Sequence, residues 1–420
     1  MARIVQKFGG TSVASVGCIR KAAEIAVKAA KEGHEVATVV SAMGQTTDEL
    51  ISLAEEITSS PNARELDMLL STGEQQTIAL MSMAIQELGW QARSFTGGQA
   101  GIYTENQYGK AKIREIQPQG IESSFNRGEI PVVAGFQGVT QANEVTTLGR
   151  GGSDTTAVAL ASVLGAERCD IYTDVSGVFT ADPRLFSQAK KLPCLSYEEM
   201  LELAATGAQV INHHSVGLAM DSQMPVRIRS TFQPDDLGTL ITNRITAPEY
   251  PICGITLDVN QAWFNIRMFS VDEREKQQRL DSISSLFTRL NELNISSDMV
   301  MLLAHEDEPF QDLAFTVEKA NAKRVQSILK GIRNLGDPQF VVDEHLARVS
   351  IIGRRLTHRP EIVASVFEAL TQREIPIQMV ATGDLRMSLL VPVPHAEKAV
   401  TLIHNYFGLE EEPQSFVSVL

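Results

Sequence analysis

Thr147 to Arg184 reads TLGRGGSDTTAVALASVLGAERCDIYTDVSGVFTADPR. The stretch opens on a tight turn, Gly149-Arg150-Gly151-Gly152-Ser153-Asp154, whose three glycines permit positive φ and close approach of a ligand to the backbone. An apolar, alanine-rich helix is expected to follow, roughly Thr155 to Leu164, with Ser153 and Asp154 placed to cap it. A glycine turn at a helix N-terminus aims N–H groups and the positive end of the dipole at an anion. Arg150 adds a planar cation suited to a carboxylate or phosphate. Asp170 to Thr173 then reads as a short strand ending in Asp174. A second turn, Ser176-Gly177, leads to Phe179-Thr180-Ala181-Asp182-Pro183-Arg184. Two acids and an arginine at strand ends suit metal-bound phosphate. The competing reading is a capped helix after an ordinary turn, and the stretch alone does not decide between them.

Composition narrows the function classes. The chain has 420 residues, which calls for two or three domains rather than one core. Hydrophobic residues make up 43% and charged residues 21%, the balance of a globular protein. A net charge of −14 argues against a nucleic-acid or anionic-membrane surface, while leaving room for a local basic pocket. Cys18, Cys169, Cys194 and Cys253 are scattered without metal-ligand spacing, the pattern of free thiols in a reducing compartment. Met1-Ala2-Arg3 enters a strand pattern directly, and no apolar run approaches ~20 residues, so a cytoplasmic protein without signal peptide or membrane span is expected.

Working outward toward the N-terminus, the strand Arg3 to Gln6 runs into Lys7-Phe8-Gly9-Gly10-Thr11-Ser12-Val13 and then a helix from about Ser15 to Glu32. A lysine at a strand end beside a diglycine turn can bridge transferring phosphates, although the spacing is not that of a P-loop. The bland alternative is a surface lysine. Glu35 to Ser41 reads as a buried strand feeding the polar loop Ser41 to Asp48. Ligands in open α/β sheets sit outside the carboxyl ends of strands, which makes Ser41 and Thr47 candidates for substrate contact; N-capping by Thr47 or Asp48 is the alternative. Leu66 to Leu88 reads as a helix interrupted near Ser71-Thr72-Gly73-Glu74, where Glu74 could meet a substrate ammonium or simply be solvated. Strands alternating with helices over residues 3 to 174 predict an α/β fold, a largely parallel sheet sandwiched by helices.

Beyond Arg184, Tyr197 to Ala205 and Ser215 to Ser222 read as helices, with Gly207 to His214 between them. The neighbouring His213 and His214 do not share a helix face, and no third ligand lies at helical spacing, so a metal site is not expected there. The two prolines of Ala247-Pro248-Glu249-Tyr250-Pro251 mark a connector. After it the pattern repeats weakly, with Ser297-Asp298-Met299-Val300 in one half matching Ile377-Gln378-Met379-Val380 in the other. Two βαββαβ-type units are expected, giving domains at 1–246, 247–336 and 337–420.

Taken together, Lys7 to Val13, Gly149 to Asp154, Tyr172-Thr173-Asp174-Val175 and Thr180 to Arg184 resemble the aspartate kinases of the amino acid kinase superfamily, which carry two ACT regulatory domains. The resemblance runs over almost the whole chain. It implies transfer of the ATP γ-phosphoryl group to the β-carboxylate of L-aspartate, the entry to lysine, threonine and methionine synthesis, with ATP and Mg2+ as the nucleotide species. Catalytic roles would fall to Lys7, Arg150 and Asp154, with Lys7 bridging the transferring phosphate beside the Gly9 and Gly10 amides. Ser41, Thr47, Glu74, Arg150, Gly151, Gly152 and Ser153 would bind aspartate, Arg150 at its α-carboxylate and Glu74 at its ammonium. Lys7, Phe8, Gly9, Gly10, Thr173, Asp174, Phe179, Thr180, Ala181, Asp182, Pro183, Arg184, Gln209 and Val210 would bind ATP. A homodimer or dimer of dimers through the ACT-type domains, and an amino-acid effector such as lysine or threonine, are also implied; no nucleic-acid or membrane partner is.

Three departures stand out. Many members carry lysine at Gln209, His-Pro-Arg at Asn212-His213-His214, and tyrosine at Phe179. In the first regulatory half, Leu302-Leu303 replaces a Gln-Asn pair that contacts effector in relatives, whereas the second half keeps Thr382, Asp384, Arg386 and Ser388. The alternatives are another member of the superfamily, acting on glutamate, acetylglutamate, carbamate or UMP, and a catalytically silent amino-acid sensor.

Overall fold

The computed structural model describes residues 2–208, 210–243, 252–269, 273–304, 310–332 and 339–410. The chain forms two compact units, Met1–Thr180 with Lys191–Pro248, and Ala181–Lys190 with Glu249–Leu420. Among the described residues, no helix is long and apolar enough to cross a membrane.

The first unit is built on an eight-stranded sheet. Its order is Cys194–Leu195, Thr239–Ile241, Val226–Ser230, Arg168–Thr173, Arg3–Phe8, Glu35–Val40, Ile130–Ala134 and Ala92–Phe95. From Val226–Ser230 to Ala92–Phe95 every pairing is parallel; Thr239–Ile241 runs antiparallel to Val226–Ser230 and parallel to Cys194–Leu195. The central strands are buried along most of their length, as strands covered on both faces are. On one face Ile4, Phe8, Val36 and Val40 pack against the helix Val16–Lys31, through Ile19, Ala22 and Ala26, and against Ile78, Met81 and Ile85 of the helix Ala63–Glu87. Side chains alternate along a strand, so Lys7 leaves the sheet on the opposite face, where the helix Gly152–Val163 lies. That helix buries the apolar run Ala157, Val158, Ala159, Leu160 and Ala161.

Two local expectations are corrected. Ala63–Glu87 is one continuous helix. Gly73 does not interrupt it, but lets it approach the Ser41–Asp48 loop, since a Cβ there would lie 2.8 Å from that of Ala42. The helix Gly152–Val163 is not capped by Ser153 or Asp154: its N-cap is Gly151, at φ 75°, with no side-chain cap, and both residues sit in its first turn. The region between Ala92–Phe95 and the Gly149 turn also holds a small sheet, Ile113–Ile116, Ile102–Thr104, Gln137–Val139 and Val145–Thr147.

The second unit contains two four-stranded sheets. One pairs Ile252–Asp258 with Leu346–Gly353, then Arg386–Pro392 and Met379–Thr382; the other runs Ser297–Ala304, Phe310–Glu318, Gln261–Phe269 and Gln339–Asp343. The expected halves 247–336 and 337–420 thus exchange strands, because the first strand of each half pairs in the sheet of the other. Periodicity marks strands but not their partners, and the exchange joins the halves into one unit. The helices Pro360–Thr371 and Val393–Tyr406 bury Ile362, Val366, Leu370, Ala399 and Ile403 on the first sheet, and Leu286, Leu290, Val325 and Leu329 cover the second. The connector 247–251 lies outside the described residues.

Candidate active site

The site forms at the carboxyl ends of the parallel strands. Lys7, the penultimate residue of its strand, is 8% exposed and places Nζ 2.6 Å from Oδ1 of Asp154 in the first turn of the facing helix. A pair this desolvated adds little net stability; what it provides is a fixed ammonium. A Cβ on Gly9 would lie 3.3 Å from Nζ, so the glycine keeps the space beside the cation open. Gly9 N–H donates to the Tyr172 carbonyl (3.1 Å), and this corrects one expectation: the Gly9 amide is committed to the neighbouring strand and is not free for phosphate. Ser12 Oγ donates to the same carbonyl and receives Thr231 Oγ1, which ties the turn to a third strand end. Phe8 stacks on Tyr172 at 4.9 Å beneath this floor.

The Gly149–Asp154 turn is held from two sides. Gly149 and Gly151 adopt φ of 77° and 75°. Asn212 donates from Nδ2 to the Arg150 carbonyl (3.1 Å) and from its backbone N–H to Asp154 Oδ2 (3.4 Å), while its Oδ1 accepts from His214 N–H and caps the helix His213–Asp221. The departure at Asn212 therefore does positional work that the sequence did not reveal. The neighbouring His213 is held below its usual imidazole range by burial and by His214. Among the described residues no group of His, Cys, Asp and Glu could hold a metal ion by itself. Arg150 is exposed, its backbone fixed by Asn212 and its guanidinium available. Ser153 is buried against Gly135, where a Cβ would come within 2.7 Å.

Glu74 is 2% exposed. Its Oε1 accepts from Ala42 N–H (3.0 Å), and Oε2 has no hydrogen-bond partner among the described residues. Burial pushes the carboxyl up to about 7, against the opposing bond from Ala42. The solvated-glutamate alternative is thereby removed. An unpartnered buried carboxylate oxygen is costly unless a cation completes it. The loop above it touches the diglycine turn, with Gly44 N–H donating to Gly10 O, and a Cβ on Gly10 would lie 3.2 Å from the Gly44 carbonyl oxygen. Thr47 lies in the first turn of the helix Thr46–Ile57 and Gln45 is its N-cap, with no side-chain bond, so neither Thr47 nor Asp48 caps it. Ser41, like Thr47, is partly exposed.

Of the expected nucleotide residues, Thr173 and Asp174 share a hydrogen bond (3.0 Å) at the end of their strand, and Asp174 is exposed. Val178–Phe179 pairs antiparallel with Lys191–Leu192, leaving Phe179 partly exposed. Thr180 is buried and Val210 partly exposed. Ala181, Asp182, Pro183 and Arg184 belong instead to the second unit, where Ala181 and Phe186 join its apolar core. There Asp182 binds Arg184 at 2.7 Å, and the guanidinium holds that carboxyl below its usual range. Gln209 lies outside the described residues. A further acid, Asp67, had no sequence signal beyond its place in the helix that carries Glu74; it proves buried and fully hydrogen-bonded.

Comparison with known proteins agrees with this geometry. Residues 2–230 match the amino acid kinase family and residues 349–407 the ACT domain. The chain is 43% identical to aspartokinase 2 of Bacillus subtilis over 416 residues, 99% of this chain and 100% of that one, and 41% identical to the aspartokinase of Geobacillus stearothermophilus over 98% of each. Among solved structures, E. coli aspartokinase III in complex with aspartate and ADP superposes with a TM-score of 0.79 at 27% identity, covering 96% of this chain and 99% of that one. The aspartate kinase from Synechocystis gives 0.75 at 28%, covering 99% and 100%. The chain belongs to the aspartokinases of the amino acid kinase family.

Proposed function

We propose that this chain transfers the γ-phosphoryl group of ATP to the β-carboxylate of L-aspartate, giving 4-phospho-L-aspartate and ADP. The full-length likeness to aspartokinases carries the reading. The site's charges suit the substrate. Arg150 meets the α-carboxylate with its planar fork, and the open Oε2 of Glu74 meets the α-ammonium. Ser41, Thr47, Gly151, Gly152 and Ser153 line the space between.

An oxygen of the β-carboxylate attacks the γ-phosphorus while the bond to the departing ADP oxygen breaks. No general base is needed, because the carboxylate is already ionised at pH 7. Lys7, held by Asp154, meets the phosphoryl oxygens as their charge redistributes. The cleared space at Gly9, beside the Lys7 ammonium, lets the phosphate chain approach. Thr173, Asp174, Phe179, Thr180 and Val210, with Gln209, serve the nucleotide. Magnesium needs only one or two protein carboxylates when it travels on phosphates, and the exposed Asp174 fits that role; the ion would supply charge neutralisation.

Regulation by an amino acid is the second element of the reading. The polar groups of the second half that suggested an effector loop are largely engaged within the unit. Asp384 accepts from Thr357 Oγ1, Arg386 binds Asp298, and Ser388 pairs with Ser350. Leu302 and Leu303 offer no partner for an ammonium or carboxylate. Fewer effector sites than two per chain follow, in a homodimer or dimer of dimers joined through the second unit.

The test is a coupled assay of ADP release with aspartate, glutamate, acetylglutamate, carbamate and UMP as acceptors, repeated on Lys7→Ala. Aspartate alone should support turnover, and kcat should fall roughly 10²-fold or more in the variant. Equal turnover with another acceptor, or a variant retaining more than about a tenth of the wild-type kcat, would overturn it.

A further inference from the structure

Asp67 is 1% exposed, on the helix Ala63–Glu87. It has no ion-pair partner among the described residues; N–H and O–H donors surround it instead. Oδ2 accepts from Thr147 N–H (2.8 Å), Oδ1 accepts from Thr147 Oγ1 (2.7 Å), and both oxygens receive Gly109 N–H (3.0 and 2.9 Å). Thr147 is the last residue of its strand and stands three places before Arg150. Gly109 meets the same turn, since a Cβ on Gly149 would lie 3.2 Å from the Gly109 carbonyl. Along the helix, Glu74 follows Asp67 by seven residues, two turns, and so shares its face. Between them the Ser71 carbonyl accepts from Gln137 Nε2 (2.8 Å). One helix face thus grips, in order, the strand entering the Arg150 turn, the strand before it, and through Glu74 the loop after Val40.

We propose that Asp67 is a positioning residue that sets the separation of Arg150 from Glu74, and thereby the fit of the two charged ends of the amino-acid substrate. The proposal rests on the reading of Arg150 and Glu74 given above. A carboxylate is suited to this task because its oxygens accept several N–H and O–H bonds at once. An amide at the same place turns one acceptor into a donor facing donors. Charge-assisted bonds of this type are strong enough that losing one shifts an equilibrium about tenfold or more.

The experiment measures kcat and both KM values in the full-length Asp67→Asn, Arg150→Ala and doubly substituted enzymes. Asp67→Asn should raise the aspartate KM about tenfold with the ATP KM within about twofold of wild type. The double variant should be little worse for aspartate than Arg150→Ala alone, because the two act on one contact. Thr147→Val, which removes only the hydroxyl donor, should shift the same KM by a smaller factor, and serves if Asp67→Asn does not fold. Equal rises in both KM values, a fall in thermal stability with no change in KM, or effects that multiply in the double variant would overturn the role of Asp67. An unchanged aspartate KM in Arg150→Ala itself would overturn the assignment of Arg150 instead, so the two failures are distinguishable.

Discussion

At the scale of single residues, Glu74 has the most specific consequence. Its carboxyl is raised from an ordinary value near 4.5 to about 7 by burial. In the free enzyme the folded state therefore favours the protonated form, and stability falls as pH rises through the window from 4.5 to about 7, by a total on the order of 3 kcal/mol. An ammonium placed on Oε2 needs the ionised form, so substrate binding has the opposite slope. The aspartate KM should fall about tenfold per pH unit from pH 5.5 toward 7 and level off above it. In Glu74→Gln the KM should be higher and this slope absent, while the thermal midpoint at pH 8 should hold or rise, because a buried charge has been removed. A wild-type aspartate KM that is flat between pH 5.5 and 8 would detach Glu74 from the substrate.

At the scale of elements, the Gly149–Asp154 turn is set by backbone conformation as much as by its side chains. Gly151 is left-handed, and a Cβ there would fall within 2.4 Å of the Asn212 side chain that holds the Arg150 carbonyl. Gly128 is left-handed too, at φ 70°, but has nothing within 4 Å. Gly128→Ala should thus cost only the conformational term, roughly 1–2 kcal/mol, and leave kinetics unchanged. Gly151→Ala should cost more, lower the thermal midpoint further and raise the aspartate KM, because Asn212 must move. Thermal melts and steady-state kinetics on the two variants check this; identical kinetics would mean that the Asn212 contact does not shape the site.

At the scale of the whole molecule, strand exchange makes the second unit a single folding body, tied further by Asp298, which receives both Arg348 and Arg386 from the neighbouring sheet. Ser297–Ala304 is an edge strand that leaves Leu302 and Leu303 45% and 47% exposed. Apolar edges of this kind are covered in stable proteins. Light scattering should find two or more copies per particle. Calorimetry on that particle, with lysine and threonine added singly and together, should count fewer than two sites per chain. A monomeric particle, or two full sites per chain, would refute this arrangement.

The parallel α/β sheet, the lysine beside its diglycine turn and the Gly149–Asp154 turn were all legible in the sequence, because each depends on local properties: apolar periodicity, glycine at positive φ, a strand end followed by a helix. Those properties also suffice for the family resemblance. What the sequence could not contain was partnership at long range. Whether Glu74 was solvated or buried depended on how closely Gly73 lets its helix approach Ala42. Asn212 was only a departure from the family pattern until its side chain was found on the Arg150 carbonyl, 62 residues away. Asp67 resembled any helix acid until Gly109 and Thr147 closed over it. The two regulatory halves read as consecutive because strand pairing is chosen by packing and backbone hydrogen bonding between distant segments, which one-dimensional periodicity does not encode.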